Sequence, residues 1–435
     1  MNKRFLGIIV LFVSFVGCTQ RTNTNKNVQI EYMYSGSIEN IHIMGVVKKV
    51  FEKENPGYEL KLNFVPNWGV FRTKTLTSIT GGVAPDIIVD GPSKIYDLYD
   101  RNSLYDLTDF VTKDQKFQKI KKDIYPPQFL EVGKIKGKYW AIPAWQNPAV
   151  IFYNKKIFKD AGIDFPSDKW TFEQFTDTMK KLTKRDENGK ITQYGFIYAL
   201  GWLQGLLPLN ATTVINQKGT EVILNNQRAY NILKWYYDLI FTYKCTPLVI
   251  KGQTDSMMQP HQVFQMGRAA MLMGGHYLKR ELLKTKELDF DAAVVPKMNK
   301  NGRILNNSVF WMVLNKGKNT EGALKLLNYL AGVPFQEEMC KVNSDVPILK
   351  SIQSSDLFLR PGEKPEHAQA FLDSLKDPFF GERCLSDIFT GNALSLESAF
   401  NQKKDLKEAL KEDAEVIKKG LNGMKKEGKL DFENF

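Results

Sequence analysis

The chain has 435 residues, with 60 Lys and Arg against 48 Asp and Glu, a formal charge of +12, and only four cysteines and four histidines. A chain this long exceeds the size at which one hydrophobic core keeps growing, so two domains are expected. Four cysteines without a Cys-x-x-Cys pair argue against a disulfide framework, and basic residues that cluster only between Lys403 and Lys429 read as a solvated helical face rather than a nucleic-acid surface.

Lys3 and Arg4 precede an apolar run from Phe5 to Val16, followed by Gly17-Cys18 and the polar stretch Thr19 to Asn27. A basic start, an apolar run of about 7 to 15 residues and a small residue at the cleavage point make a secretory signal. The run is shorter than the roughly 20 residues a spanning helix needs. Residues 1–17 are therefore expected to be removed, and the mature chain keeps 58 basic and 48 acidic groups, or +10. Phe15-Val16-Gly17-Cys18 resembles a bacterial lipobox, which makes Cys18 the expected site of acylation and residues 18–27 a flexible tether. Several acyl chains together anchor a protein stably. Cys245, Cys340 and Cys384 remain, an odd number; one bridge among them stays open, and three buried thiols are the expected case.

Val28 to Tyr34 reads as a strand. Ser35-Gly36-Ser37 then leads into a helix whose Ile41, Met44, Val47, Val50 and Phe51 share one side and which ends at Asn55-Pro56-Gly57. Tyr58, Leu60, Leu62 and Phe64 alternate with Glu59, Lys61 and Asn63, the period of a strand. A helix to Gly81-Gly82 and a strand at Ile87 to Val89, which Asp86 turns the chain into, complete the order. Strand, helix, strand, helix, strand implies an open parallel sheet covered by helices. Ligands of such sheets bind beyond the carboxyl ends of the strands, here Ser35 to Ser37, Asn67-Trp68 and Asp90 to Ser93. A second unit opens near Trp145 with the strand Ala149 to Tyr153. Thr171 then starts a helix with capping-box spacing to Gln174, and Trp170 and Phe175 stand in the staple positions. The stretch from about Leu200 to Leu288 reads as mostly helical, with Trp235 in its core. Strands are expected at Ala292 to Val295 and Ser308 to Asn315, and a helix at Thr320 to Leu330.

Four segments carry a resemblance. They are Gly82-Val83-Ala84-Pro85-Asp86-Ile87, then Gly137-Lys138-Tyr139-Trp140-Ala141-Ile142-Pro143 with Phe152-Tyr153-Asn154-Lys155, then Phe264 to Met271, and Asn319 to Leu330 with Gln336. In this order they resemble the family-1 extracellular solute-binding proteins of ABC importers, the maltose-binding-protein-like group, from Val28 to about Asn422. The resemblance implies an α/β, two-lobed periplasmic-binding-protein-like fold, each lobe a mainly parallel sheet flanked by helices, with a ligand cleft between the lobes. Carried over, lobe one takes 28–144 and 297–345, and lobe two takes 145–296 and 346–435, with crossings near Pro143, Pro296 and Pro347. It also implies a cofactor-free, monomeric binding protein and not an enzyme. Such a protein closes on a small-molecule carbohydrate and delivers it to ABC permease subunits, tethered by lipid to the outer face of the membrane or periplasmic.

A sugar presents hydroxyl edges and apolar C–H faces, so its site needs aromatic planes with amides, carboxylates and hydroxyls at the rim. Trp68, Trp145, Trp202 and Trp311 fall at loops or strand ends, and the resemblance favours Trp145 and Trp311 as anchors. Asp90, at a strand end, is suited to accept two sugar hydroxyls. Gly275-His276-Tyr277 stands where the family has Gly-Ser-Trp or a near variant, which brings in Tyr277 and His276. Asn147, Ser308 and Ser37 complete the candidates. Two other readings stay open: a carrier of iron or polyamine on the same fold, and a secreted glycoside hydrolase, which needs only two suitably separated carboxylates. The chain has no nucleophile elbow, Walker loop, dinucleotide fingerprint or His-Glu-x-x-His, and His42, His261, His276 and His367 are far apart in sequence, which weighs against a metal centre.

Overall fold

The computed structural model describes residues 27–36, 38–198, 205–216, 219–250, 253–254, 258–381 and 394–426. In chain order, the elements that build the site are β1 (Val28–Tyr34), α1 (Ile38–Glu54), β2 (Tyr58–Phe64), α2 (Trp68–Thr80), β3 (Ile87–Asp90), β4 (Ile142–Trp145), β5 (Ala149–Asn154), α3 (Phe172–Lys181), β6 (Ile197–Tyr198), α4 (Gln227–Phe241), β7 (Met271–Gly275), α5 (Tyr277–Leu283), β8 (Phe290–Val294), β9 (Ile304–Leu305), β10 (Val309–Val313), α6 (Thr320–Ala331), α7 (Val333–Lys341) and β11 (Pro378–Phe379).

The first sheet has the order β2-β1-β3-β10-β4. Its first three strands run parallel, as the β-α-β-α-β order requires, and β10 and β4 join antiparallel. On α1, Ile43, Met44, Val47 and Phe51 face the core, whereas Ile41 of the expected stripe is 42% exposed. Buried Asp86 ties this sheet to a distant element. One oxygen accepts from Glu31 N on β1 at 2.7 Å and the other from Asn319 N at the start of α6 at 2.7 Å.

The second sheet has the order β6-β7-β5-β8. Here the expectation of a mainly parallel sheet fails, because β5 is antiparallel to both β7 and β8 and only β6 and β7 run parallel. The central strand β7 lies inside the stretch read as mostly helical. All five of its residues are buried, so Met271 to Gly275 shows no alternation, and a short apolar run covered on both faces carries no period that separates strand from helix. Beside this sheet, Thr171 and Gln174 close both halves of the capping box, and the rings of Trp170 and Phe175 lie 5.2 Å apart. Trp235 on α4 donates to Thr176 Oγ1 on α3 at 2.9 Å.

The chain passes between the sheets three times, and the passages lie side by side. Gln146 pairs with Val346, and Pro148 pairs with Asn306. Buried side-chain amides fill the gaps between them. Asn306 Oδ1 accepts from Asn147 N at 2.8 Å, and its Nδ2 donates to Gln146 Oε1 at 3.0 Å. Gln336 on α7 accepts from Ile348 N at 2.7 Å and donates to Ala144 O at 3.2 Å. An unpaired buried donor or acceptor costs about 1–3 kcal/mol. Gln336→Leu keeps the bulk but strands both partners, so it should lower the unfolding free energy by about 2 kcal/mol or more, read from urea titration; an unchanged midpoint would refute this role.

Candidate ligand-binding site

A cavity of about 570 Å³ opens where the two sheets face each other, within the usual range for ligand pockets. Gly36, Asn40, Trp68, Arg72, Asp90, Gly91, Trp145, Asn147, Tyr277, Arg280, Asn307, Ser308, Val309 and Asp345 line it. The ends of β1 and β3 and the first turn of α2 supply one wall, the start of α5 supplies the other, and the chain passages form the floor. Helix α2 begins there because Asn67 caps it through Val70 N at 3.1 Å, which places Trp68 at the rim and Arg72 one turn later on the same face.

Six expected residues meet in this cavity: Trp68, Asp90, Trp145, Asn147, Tyr277 and Ser308. Asp90 is nearly buried and held by Arg72 through two hydrogen bonds, Nε to Oδ2 at 3.0 Å and Nη2 to Oδ1 at 2.8 Å, while Gly91 N also donates to Oδ1 at 2.7 Å. These bonds to the carboxylate, aided by its charge, hold the Arg72 guanidinium above its ordinary range. Asn147 spends every polar group locally. Its N donates to Asn306, its O accepts from Asn307 N at 3.1 Å, its Oδ1 accepts from Tyr277 N at 3.3 Å, and its Nδ2 donates to Asp345 Oδ1 at 3.3 Å. Gly275 makes room for that carboxamide, since a Cβ there would stand 2.4 Å from Asn147 Oδ1. The Ser308 hydroxyl is buried and makes no hydrogen bond among the described residues.

Two expected residues do not reach the cavity. Trp311 is fully buried, donates from Nε1 to Tyr32 Oη at 3.2 Å, and packs edge-on against Trp145 at 6.3 Å and Phe335 at 5.5 Å. The cavity lies at the Val309 end of β10, so Trp311, two residues on, sits about 6–7 Å deeper along the strand. His276 is also buried, with its ring against Phe371 at 4.5 Å and Phe358 at 5.7 Å. Burial, helped by the nearby Lys279 charge, holds its imidazole well below the ordinary value. Successive helical residues point about 100° apart, so with Tyr277 on the cavity His276 turns inward. Ser37, Trp202, Cys18 and Cys384 lie outside the described residues; Cys245 and Cys340 are free, buried thiols.

Sequence reasoning missed Arg72, Arg280 and Asp345. Each had a signal: Arg72 follows Trp68 by four residues, Arg280 follows Tyr277 by three, and Asp345 directly precedes the third passage at Val346-Pro347. A second cavity of about 360 Å³, bordered by Arg303, Asn216, Phe379 and Phe380, includes none of the expected residues. Elsewhere, Asp168, His367 and Asp373 bring ligating atoms within 4.8 Å of one another, which their separation in sequence had hidden. Lys376 and Gln369 already hold Asp373, at 2.9 and 3.2 Å, and none of the three lines the large cavity.

Burial pushes the Asp345 carboxyl up to about 7, against the opposing hydrogen bond from Ser344 Oγ at 2.9 Å and the Arg280 charge. Between about pH 4, where an unfolded carboxyl titrates, and about pH 7 the native state therefore holds a proton the unfolded chain releases, and stability drains away as pH rises. Asp345→Asn removes that loss. The difference in melting temperature between variant and wild type should move in the variant's favour from pH 5 to pH 7.5, and a pH-independent difference would refute the assignment.

The bacterial extracellular solute-binding protein family matches residues 35–337. The maltooligosaccharide ABC transporter solute-binding lipoprotein of Streptococcus pneumoniae is 23% identical over 397 residues, covering 86% of this chain and 85% of the relative. Among solved structures, an ABC substrate-binding protein of Listeria monocytogenes in complex with cycloalternan superposes with a TM-score of 0.78 at 21% identity, covering 91% of this chain and 99% of the other. The sugar-binding protein MalE of Xanthomonas citri gives a TM-score of 0.78 at 16% identity, over 93% and 100% of the two chains. The fold is thus that of the two-lobed binding proteins, and the chain belongs to the bacterial extracellular solute-binding protein family.

Proposed function

We propose that this chain is the extracytoplasmic substrate-binding component of an ABC importer, and that it holds a sugar or oligosaccharide in the large cavity. The observation that carries this reading is the composition of the cavity wall. Trp68, Trp145 and Tyr277 border one space together with Asn40, Asn307, Asp90 and the unpaired Ser308 hydroxyl. Flat aromatic faces suit sugar C–H surfaces, and amides, a carboxylate and a hydroxyl suit the ring substituents. The relatives described as a maltooligosaccharide ABC transporter solute-binding lipoprotein and a galactooligosaccharide-binding protein lend support. On this reading the lobes divide at 28–144 with 297–345 against 145–296 with 346–435, they close on the ligand as a hinge, and the protein acts as a monomer that hands its cargo to permease subunits.

The protein is read as a binder and not a catalyst. Asp90 and Asp345 share the cavity, but Asp90 is committed to Arg72 through both oxygens, which suits orientation of a ligand better than proton transfer.

A thermal-shift screen over mono- and oligosaccharides tests the reading, because a ligand at ~100 times its dissociation constant adds about 2.7 kcal/mol. With the best sugar, Trp145→Ala should weaken binding about thirtyfold, the cost of losing a buried aromatic anchor. Trp311→Ala should first cost about 3–5 kcal/mol of stability, as a core deletion does. Normal affinity in folded Trp145→Ala would refute the site, and new reducing ends in the mixture would refute the binder.

The anchor is a further part of the proposal. Mass spectrometry of the protein from membranes should find diacylglycerol on Cys18, with Cys18 as the first residue. A mature N-terminus elsewhere, free of lipid, would sink it.

A further inference from the structure

The cavity contains two guanidinium groups in different states. Arg72 is engaged by Asp90 through two hydrogen bonds, so its charge is matched before any ligand arrives. Arg280 is not matched in this way. Its side chain is only 15% exposed, its Nε is buried without a hydrogen-bond partner, and the acids beside it stand off, with Glu39 Oε2 3.5 Å from Nη1 and Glu281 Oε1 3.7 Å from Nε. The remaining carboxyl of the cavity, Asp345, accepts instead from Ser344 and Asn147.

Taking a guanidinium out of water is costly unless it is paired and hydrogen-bonded. Among the described residues the nearby acids contribute attraction but no hydrogen bond, and the guanidinium borders the cavity, where a ligand can meet its Nη groups. An arginine presents a planar fork that fits carboxylate and sulfate oxygens two at a time. Because burial pushes Asp345 up to about 7, a large share of it is uncharged near neutrality and repels an anion weakly. Arg280 also stands three residues after Tyr277 on α5, so the guanidinium and the phenol ring meet the same part of a bound molecule.

We propose that the cavity selects saccharides bearing an anionic substituent, a carboxylate or a sulfate ester, which Arg280 receives through charge-assisted hydrogen bonds. This rests on the sugar-binding reading above. Trp145 and Trp68 supply the stacking surface that any saccharide uses, and Arg280 supplies the discrimination.

The test compares matched oligosaccharides by isothermal titration of the mature chain: a neutral oligosaccharide, its uronate counterpart and its sulfated counterpart, each at low and at high NaCl. At least one anionic member should bind about tenfold or more tighter than the neutral one, the scale of a charge-assisted bond, and high salt should shrink that ratio. In Arg280→Gln the anionic-to-neutral ratio should fall close to one, and Arg280→Lys should restore part of it. Which anionic member wins separates carboxylate from sulfate. A wild-type ratio at or below one, or a ratio that survives in folded Arg280→Gln, overturns the proposal while leaving the sugar reading intact. Failure of every saccharide to bind overturns both.

Discussion

The three chain passages between the sheets bear a constraint that the rest of the molecule depends on. They run through the interior, where every peptide group needs a partner, yet they belong to neither sheet. Gln146, Asn306, Gln336 and Gln353, all buried, solve this with side-chain amides, each of which carries donors and an acceptor on one short arm. Gln353 Nε2, for example, reaches Pro347 O at 2.8 Å and Tyr125 O at 3.2 Å. An apolar filling would leave those carbonyls bare. The amides also explain why the floor of the cavity is well defined, since Asn147 is bonded at once to the second passage, to the start of α5 and to Asp345.

The aromatic wall depends on what lies beneath it. Trp145 is nearly buried where it borders the cavity, and it rests on Trp311, which is fixed by Tyr32 and Phe335. Tyr32 in turn stacks on Tyr34 at 5.1 Å, and Tyr34 meets Phe64 at 5.4 Å. This chain of rings runs from the cavity into the first sheet, so a bound sugar face would meet a surface whose rotamer is already set. A preorganised anchor costs less ordering on binding than a mobile one. Trp311 thus serves the site from within the core.

The first sheet was legible in the sequence where its edge strand β2 keeps a half-exposed face and where turn residues bound its neighbours. Tyr58 to Phe64 alternates, and Val28 to Tyr34 is bounded by turn residues, so period and punctuation agree. The strand β7 was hidden by the opposite condition: covered on both faces, Met271 to Gly275 has no pattern to read. For the site, strand ends and aromatic residues pointed to six of the lining residues. Trp311 misled because a strand-end tryptophan and one two residues deeper look the same in one dimension. Arg72, Arg280 and Asp345 escaped because charged residues on a basic chain are ordinary on the surface; only the fold shows that these three face inward together.

That inward charge is arranged in two ways that have different consequences for recognition. Arg72 and Asp90 neutralise each other with fixed geometry, so their partial charges act as oriented dipoles, and they can steer hydroxyl groups without favouring either sign of ligand. Arg280 carries its charge in a partly desolvated space, where interactions between charges are stronger than in water, with two acids 3.5 and 3.7 Å away. Its partner acids come from different places: Glu39 belongs to α1 beside the first sheet, and Glu281 belongs to α5 itself. Glu39 therefore faces Arg280 from the side of the first sheet, while Glu281 stays beside it on α5. On the reading proposed above, the charge of Arg280 would speed capture, and the ring surface and the amide floor would hold what is captured.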